Sequence, residues 1–203
     1  MDMLLNAGLA LGVFVATDID DLLLLAAFFA SARLSPRSIV IGQFAGIALL
    51  VLVSTLAALL AVSIPPGWIA LLGLVPLGMG LAGLHNLRDG AVDDDDIDEA
   101  QQAEQRAEHN LHSQVLAVAT VTVANGGDNL GAYIPLFARS PELIAVFSIV
   151  FAAMTALWCA LGYWLVRHPL AGAAARRYGH VLLPIVLVGL GCLILVDARV
   201  LFQ

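Results

Sequence analysis

Six long apolar segments set the strongest limit on what this chain of 203 residues can fold into. A helix needs about 20 apolar residues to cross a bilayer, and a helix satisfies its own backbone groups there. The segments that reach or approach this length are 4–30, 39–62, 68–87, 115–138, 143–166 and 178–196. Only 12% of the residues are charged, against roughly a quarter in soluble domains. The sequence therefore predicts an all-α membrane protein with six transmembrane helices.

The first apolar segment recurs in the fourth, 108 residues later. Between 15–30 and 123–138, six of 16 aligned residues are identical, and one identical pair is Asp20 with Asp128. The pairs that extend the match to the third helix of each half are Pro76 with Pro184 and Gly83 with Gly191. Because each unit has three helices, the second unit must enter the membrane from the opposite side. The pattern predicts a 3+3 inverted-topology repeat, which is typical of secondary transporters.

The repeat divides the chain into a first unit, 1–87, a polar loop, 88–114, and a second unit, 115–199. Residues 200–203 are interpreted as the remnant of a protease tag. The loop carries nine of the 16 acidic residues, so the net charge of -7 describes the loop rather than the whole surface. We expect it to be a solvated helix or a disordered linker. The alternative is a weak metal-collecting or sensing arm built on His109 and His112.

Arginine positions predict the orientation, since the chain has no lysine. With both termini outside, seven of the nine arginines lie in the cytoplasm, and Arg139 and Arg199 lie outside. The first span lacks a cleavage site and is expected to be retained. No basic patch indicates a nucleic-acid partner. Cys159 and Cys192 have no CxxC spacing, so a thiolate metal site is not indicated.

Four carboxylates lie at predicted membrane depth: Asp18, Asp20, Asp21 and Asp128. A charged side chain at the bilayer centre costs about 3 kcal/mol or more. All nine arginines fall in loops or at helix ends, so no fixed counter-charge is evident. Bound protons or a bound cation would offset this cost.

Helical spacing sharpens this hypothesis, because residues three and four apart share a face. Thr17, Asp20 and Asp21 should project together, and so should their counterparts in the second unit, Asn125, Asp128 and Asn129. Such hard oxygen donors suit calcium, manganese or, by similar size, cadmium, whereas zinc or copper would favour His or Cys.

Two features complicate this interpretation of the paired stretches. Asp18 faces away from Asp20 in a regular helix, so it is assigned to proton coupling or to a pore-lining charge; capping a broken helix is the alternative. Gly126-Gly127 predicts a helix break at 125–128, and we expect the first helix to bend less. Gln43 and Thr122 are assigned mainly to helix packing.

The two stretches that contain Asp20 and Asp128, with the residues that follow them, also resemble a known family. Ala16-Thr17-Asp18-Ile19-Asp20-Asp21-Leu22 is followed by Phe28-Phe29-Ala30, and Val123-Ala124-Asn125-Gly126-Gly127-Asp128-Asn129 by Tyr133-Ile134-Pro135-Leu136-Phe137-Ala138. Together they resemble the cadmium resistance transporter family of the lysine exporter superfamily. The resemblance implies efflux of cadmium or related divalent cations across the bacterial inner membrane. It places an exporter role on Asp20, Asp21, Asn125, Asp128 and Asn129.

The resulting hypothesis is a transporter and not an enzyme, with the divalent cation as substrate and no cofactor. Cadmium is the first candidate, with manganese or calcium as alternatives. Its partners are membrane lipid and the metal ion, and a homo-oligomer is left open. Two other functions compete: export of amino acids or other organic cations, and intramembrane aspartyl proteolysis. The protease motif GxGD fails at its first glycine, where Asn125 stands.

Overall fold

The computed structural model describes residues 2–61, 71–89, 101–102, 105, 110–167, 184–185 and 187–196. Within these ranges the chain is helical and contains no strand, which confirms the predicted all-α class. The main helices are α1 Asp2–Thr17, α2 Ile19–Ala30, α3 Pro36–Ala61, α4 Leu74–Asp89, α5 Leu111–Asn125, α6 Gly127–Arg139, α7 Ile144–Arg167 and α8 Leu187–Val196. The predicted tag remnant, His109 and most of the acidic loop lie outside the described residues.

Two helices are long and apolar enough to cross a bilayer unaided: α3, with 26 residues, and the continuous segment Pro141–Arg167, with 27. Three shorter apolar helices, Asn6–Thr17, Leu71–His85 and Leu187–Val196, accompany them. The outer face of α3 leaves large apolar side chains uncovered, with Leu60 78% exposed. Such a surface is favourable against lipid, and the chain is a membrane protein.

The first and fourth predicted spans are each divided into two helices by one residue. Asp18 separates α1 from α2, and Gly126 separates α5 from α6. The second break was predicted from Gly126-Gly127. The first helix, which we expected to bend less, is also interrupted at a single residue. The Asp18 carbonyl accepts from the Leu22 N–H at 3.3 Å and from the indole N–H of Trp158, so it is not left unpaired at the interruption.

Each long helix packs against the broken helix of the other half of the chain. α3 lies against α5 and α6, whereas α7 lies against α1 and α2. The two halves are therefore interlocked, and neither forms a separate layer. This arrangement brings both helix breaks to the centre of the molecule.

α3 and α5 meet in a regular series of contacts that we call the α3–α5 seam. Its four pairs are Ser38 with Gln114, Gly42 with Val118, Gly46 with Thr122, and Leu50 with Gly126. The partners in every pair are 76 positions apart and successive pairs are four residues apart, so the two helices run parallel and in register. The seam ends at the second helix break.

Glycine makes the close approach along this seam possible. A Cβ atom at Gly42 would lie 2.6 Å from the Val118 Cβ and 2.9 Å from the Val115 carbonyl oxygen. One at Gly46 would lie 2.6 Å from the Thr122 Cβ. Small residues at such spacing let helix backbones pack tightly within a membrane.

An aromatic cluster fills the space where α1, α6 and α7 meet. Tyr133 stacks on Phe151 with ring centroids 4.4 Å apart. The Phe14 ring packs against those of Phe151 and Trp158, with ring centroids 5.6 Å apart in both pairs. These four rings form the apolar surroundings of the first helix break.

Candidate cation site at the paired helix breaks

Asp18 is completely buried and joins the two halves of the chain. Its carboxylate accepts hydrogen bonds from the Asn129 amide at 3.3 Å and from the Tyr133 hydroxyl at 2.8 Å. The Thr17 hydroxyl donates to the same group at 3.1 Å. These donors are all neutral, so the hydrogen bonds leave the charge of an ionised Asp18 uncompensated.

Asp20 and Asp128 are 108 positions apart and make the same local hydrogen bond. The Asp20 Oδ1 accepts from the Asp21 N–H at 3.0 Å, and the Asp128 Oδ1 accepts from the Asn129 N–H at 2.8 Å. The Asp128 carboxylate lies close enough to Asp20 and Asp18 to interact electrostatically with both. The aspartates predicted from the sequence therefore lie within electrostatic reach of one another across the two units.

Asp21 is hydrogen-bonded to a side chain of α3. Its Oδ2 accepts from the Gln43 amide nitrogen at 2.6 Å, and the oxygen of the same amide accepts from the Thr122 hydroxyl at 2.7 Å. All three side chains are buried. Asp21 is thus linked through Gln43 to α5.

Three polar atoms of the predicted site are buried without a hydrogen-bond partner in the described part of the molecule. They are Oδ2 of Asp128, Oδ1 of Asn129 and Nδ2 of Asn125. Leaving buried polar atoms unpaired costs about 1 to 3 kcal/mol each, and such atoms are uncommon in native proteins unless they serve a ligand. Two of the three are oxygens of the kind that coordinates a hard cation.

The predicted face of Thr17, Asp20 and Asp21 is not a single helix face, because the break places Thr17 on α1 and the two aspartates on α2. Among the residues that the structure describes, no three His, Cys, Asp or Glu side chains form a ready metal-binding group. In this conformation the three predicted carboxylates, Asp20, Asp21 and Asp128, therefore do not form such a group by themselves.

The site also includes residues that the sequence analysis assigned to packing or did not mention. Gln43 and Thr122 link Asp21 to the seam, and Trp158 donates to the backbone at Asp18. No local sequence pattern marks these residues, because their partners lie 22 to 140 positions away along the chain; of the three, the 108-residue offset relates Trp158 to a similar contact. Trp158 corresponds to Leu50, which lies against Gly126 just as Trp158 lies against Asp18.

A cavity of about 570 Å³ opens beside the aromatic cluster, between α1 and the end of α6. Its lining consists of Asn6, Gly8, Leu9, Leu136, Arg139, Ser140, Phe147 and Leu193. It lies on the α1–α6 side of the helix breaks, away from the α3–α5 seam.

The fold and the site together define a helical membrane protein with buried carboxylates and amides at two broken helices. Comparison with known families agrees with this class: the family model described as cadmium resistance transporter matches residues 14–202. The chain belongs to the cadmium resistance transporter family. Searches of curated proteins and of solved structures gave no match.

Proposed function

We propose that this protein exports cadmium or a related divalent cation across the bacterial inner membrane, as a secondary transporter that alternates access and is coupled to protons. The observation that carries the proposal is the pair of unpartnered buried oxygens, Asp128 Oδ2 and Asn129 Oδ1, beside the first helix break. Asp18 and Asp20 lie within electrostatic reach of Asp128 and supply negative charge when they are ionised. Carboxylate and amide oxygens are the donors that hard divalent cations prefer.

Contacts related by the repeat support alternating access. Leu50 corresponds to Trp158, and Gly126 corresponds to Asp18, at the 108-residue offset. The contact of Leu50 with Gly126 is therefore the equivalent of the contact of Trp158 with Asp18. Gly80 lies against Val188, its own equivalent, because a Cβ there would be 2.7 Å from the Val188 nitrogen. An inverted repeat with a pseudo-twofold axis through this contact accounts for both observations.

The arginine distribution favours an orientation with both termini outside and the acidic loop in the cytoplasm. In that orientation the α3–α5 seam lies on the cytoplasmic side of the helix breaks, and the cavity near Arg139 lies on the outer side. The structure then corresponds to a conformation that is closed toward the cytoplasm.

Protons are the proposed coupling ion because the buried carboxylates can take them up when the metal leaves. Asp18, with its neutral donors, is the proposed proton carrier. Inward movement of each proton down the membrane potential releases about 2.3 kcal/mol per 100 mV, which can drive cation export.

Metal binding by the purified protein tests the proposal. We expect cadmium binding measured by calorimetry to weaken with acid, because protons compete for the carboxylates, and Asp128→Asn to abolish it. Glu142→Gln is the matched control, since Glu142 is an exposed acidic residue outside the site. If Asp128→Asn binds cadmium as tightly as the wild type, the site is wrong.

A further inference from the structure

We propose that Gln43 is a positioning residue that ties the Asp21 carboxylate to the closed α3–α5 seam, so that opening the seam and releasing Asp21 are one event. This inference rests on the proposed transport function and adds a mechanism to it. Gln43 uses both ends of its amide, donating to Asp21 at 2.6 Å and accepting from Thr122 at 2.7 Å. It therefore links α2, α3 and α5 in one chain of hydrogen bonds.

The link depends on the seam being closed. Thr122 is itself a seam residue, and its Cβ would lie 2.6 Å from a Cβ added at Gly46. The hydrogen bond from Thr122 to Gln43 is short, so it breaks once α3 and α5 separate by more than a fraction of an ångström. Gln43 then loses the hydrogen bond from the Thr122 hydroxyl, which fixes the orientation of its amide.

Gln114 closes the same seam at its far end. Its side-chain oxygen accepts from the Ser38 hydroxyl at 2.8 Å and from the Ser35 N–H at 3.1 Å. Its amide nitrogen donates to the Arg33 carbonyl at 3.0 Å. The seam is thus held by hydrogen bonds at Gln114 and at Thr122, and by close contacts at Gly42, Gly46 and Gly126.

The repeat-related contact on the other side of the breaks is different in kind. Gln43 corresponds to Phe151 and Thr122 to Phe14, and these two rings lie 5.6 Å apart. Phe151 and Phe14 cannot form the equivalent polar link. The contact on the seam side is therefore a polar connection to a carboxylate, whereas its equivalent on the other side of the helix breaks is an aromatic contact.

The expected consequence is a coupled equilibrium. While the seam is closed, one oxygen of Asp21 is held by Gln43. When the seam opens, Asp21 is released to the cation that enters from that side. One buried hydrogen bond changes such an equilibrium by a factor of about 5, so removing the Thr122 bond should raise the open population by about that factor.

Transport kinetics in proteoliposomes, with cadmium supplied on the seam side, test this inference. We expect Thr122→Val to lower KM by up to about 5-fold and to lower the maximal rate, because the closed state becomes harder to reach. Thr155→Val is the matched control, since this buried threonine bonds only to the Phe151 carbonyl of its own helix among the contacts described. General damage to the protein would lower the maximal rate without lowering KM.

A double-mutant cycle and hydrogen exchange add readouts that separate the inference from the proposed function. Gln43→Met should lower KM as well, and adding Thr122→Val to it should have no further effect, because the shared bond is already gone. In detergent and without metal, both single variants should speed exchange in peptides from α5, and Thr155→Val should not.

If the wild type moves no cadmium, the proposed function fails, and hydrogen exchange still tests the link between Gln43 and the seam. If Thr122→Val matches Thr155→Val in KM or in exchange, or if the two effects in the cycle add, the inference is overturned.

Discussion

Asp18 is the residue at which the two halves of the molecule meet through side chains. We predict that Asp18→Asn keeps cadmium binding but flattens the pH dependence of transport. Asparagine preserves the volume and an oxygen for the Tyr133 hydroxyl, yet it cannot carry a proton. Transport rates measured from neutral to mildly acidic pH check this prediction.

Tyr133→Phe is the control for that experiment. It removes the hydrogen bond at 2.8 Å but leaves the Asp18 carboxylate in place. We expect its transport to remain dependent on pH. A pH profile of Asp18→Asn that is indistinguishable from the wild type would remove Asp18 from the proton pathway.

Individual residues were predictable from the sequence to different degrees. Aspartates inside an apolar segment are conspicuous because lipid penalises them, and the second helix break follows from two adjacent glycines. The break at Asp18 was not predictable, since no glycine or proline marks it and the Trp158 indole that donates to its carbonyl lies 140 positions away. Gln43 and Thr122 were missed for the same reason, because their partner is fixed by tertiary packing.

The α3–α5 seam is a tight contact between two helices beside the site. We predict that Gly42→Ala destabilises the protein by about 1 to 3 kcal/mol, because the added methyl group meets the Val118 Cβ and the Val115 carbonyl and forces the helices apart. The midpoint of thermal unfolding in detergent measures the effect. It should fall clearly relative to the wild type.

Gly12→Ala is the matched control for this change. A Cβ at Gly12 has no neighbour within 4 Å, and replacing a helical glycine by alanine stabilises a helix by up to about 1 kcal/mol. We therefore expect no loss of stability. Equal behaviour of the two variants would contradict the tight packing of the seam.

At the scale of elements, the sequence predicted which segments are helical but not how they pair. Hydropathy and spacing are local properties, so they locate α3 and α7 well. The register between α3 and α5 depends on glycine contacts between residues 76 positions apart, and no local pattern specifies it. The predicted cation site was for that reason placed on single helix faces, whereas the structure distributes its donors over α1, α2, α5 and α6.

The orientation of the whole molecule can be tested with single cysteines. On a background with Cys159→Ala and Cys192→Ala, we predict that Glu142→Cys reacts with an impermeant maleimide added to intact cells and that His112→Cys reacts only after the cells are opened. Both positions are exposed. The reverse pattern would show that the termini face the cytoplasm.

The inverted repeat is a prediction about the whole molecule, and it rests on identical residues 108 positions apart in the sequence. The proposed repeat would relate the helix break at Asp18 to that at Gly126, and the contact of Leu50 with Gly126 to that of Trp158 with Asp18. The tight seam lies on one side of the helix breaks and the cavity near Arg139 on the other, so the two sides of the molecule are unequal. Alternating access requires such inequality, with each half adopting in turn the arrangement of the other.

Cadmium flux into proteoliposomes, measured across a panel of divalent metals and lysine with and without a pH gradient, tests the central claim most directly. The proposed function predicts flux of cadmium or a related divalent cation that a pH gradient accelerates, that Asp128→Asn abolishes and that excess lysine does not inhibit. The proposed function would be contradicted by transport of lysine in place of metal. It would also be contradicted by a rate of metal flux that changes neither with a pH gradient nor with Asp128→Asn.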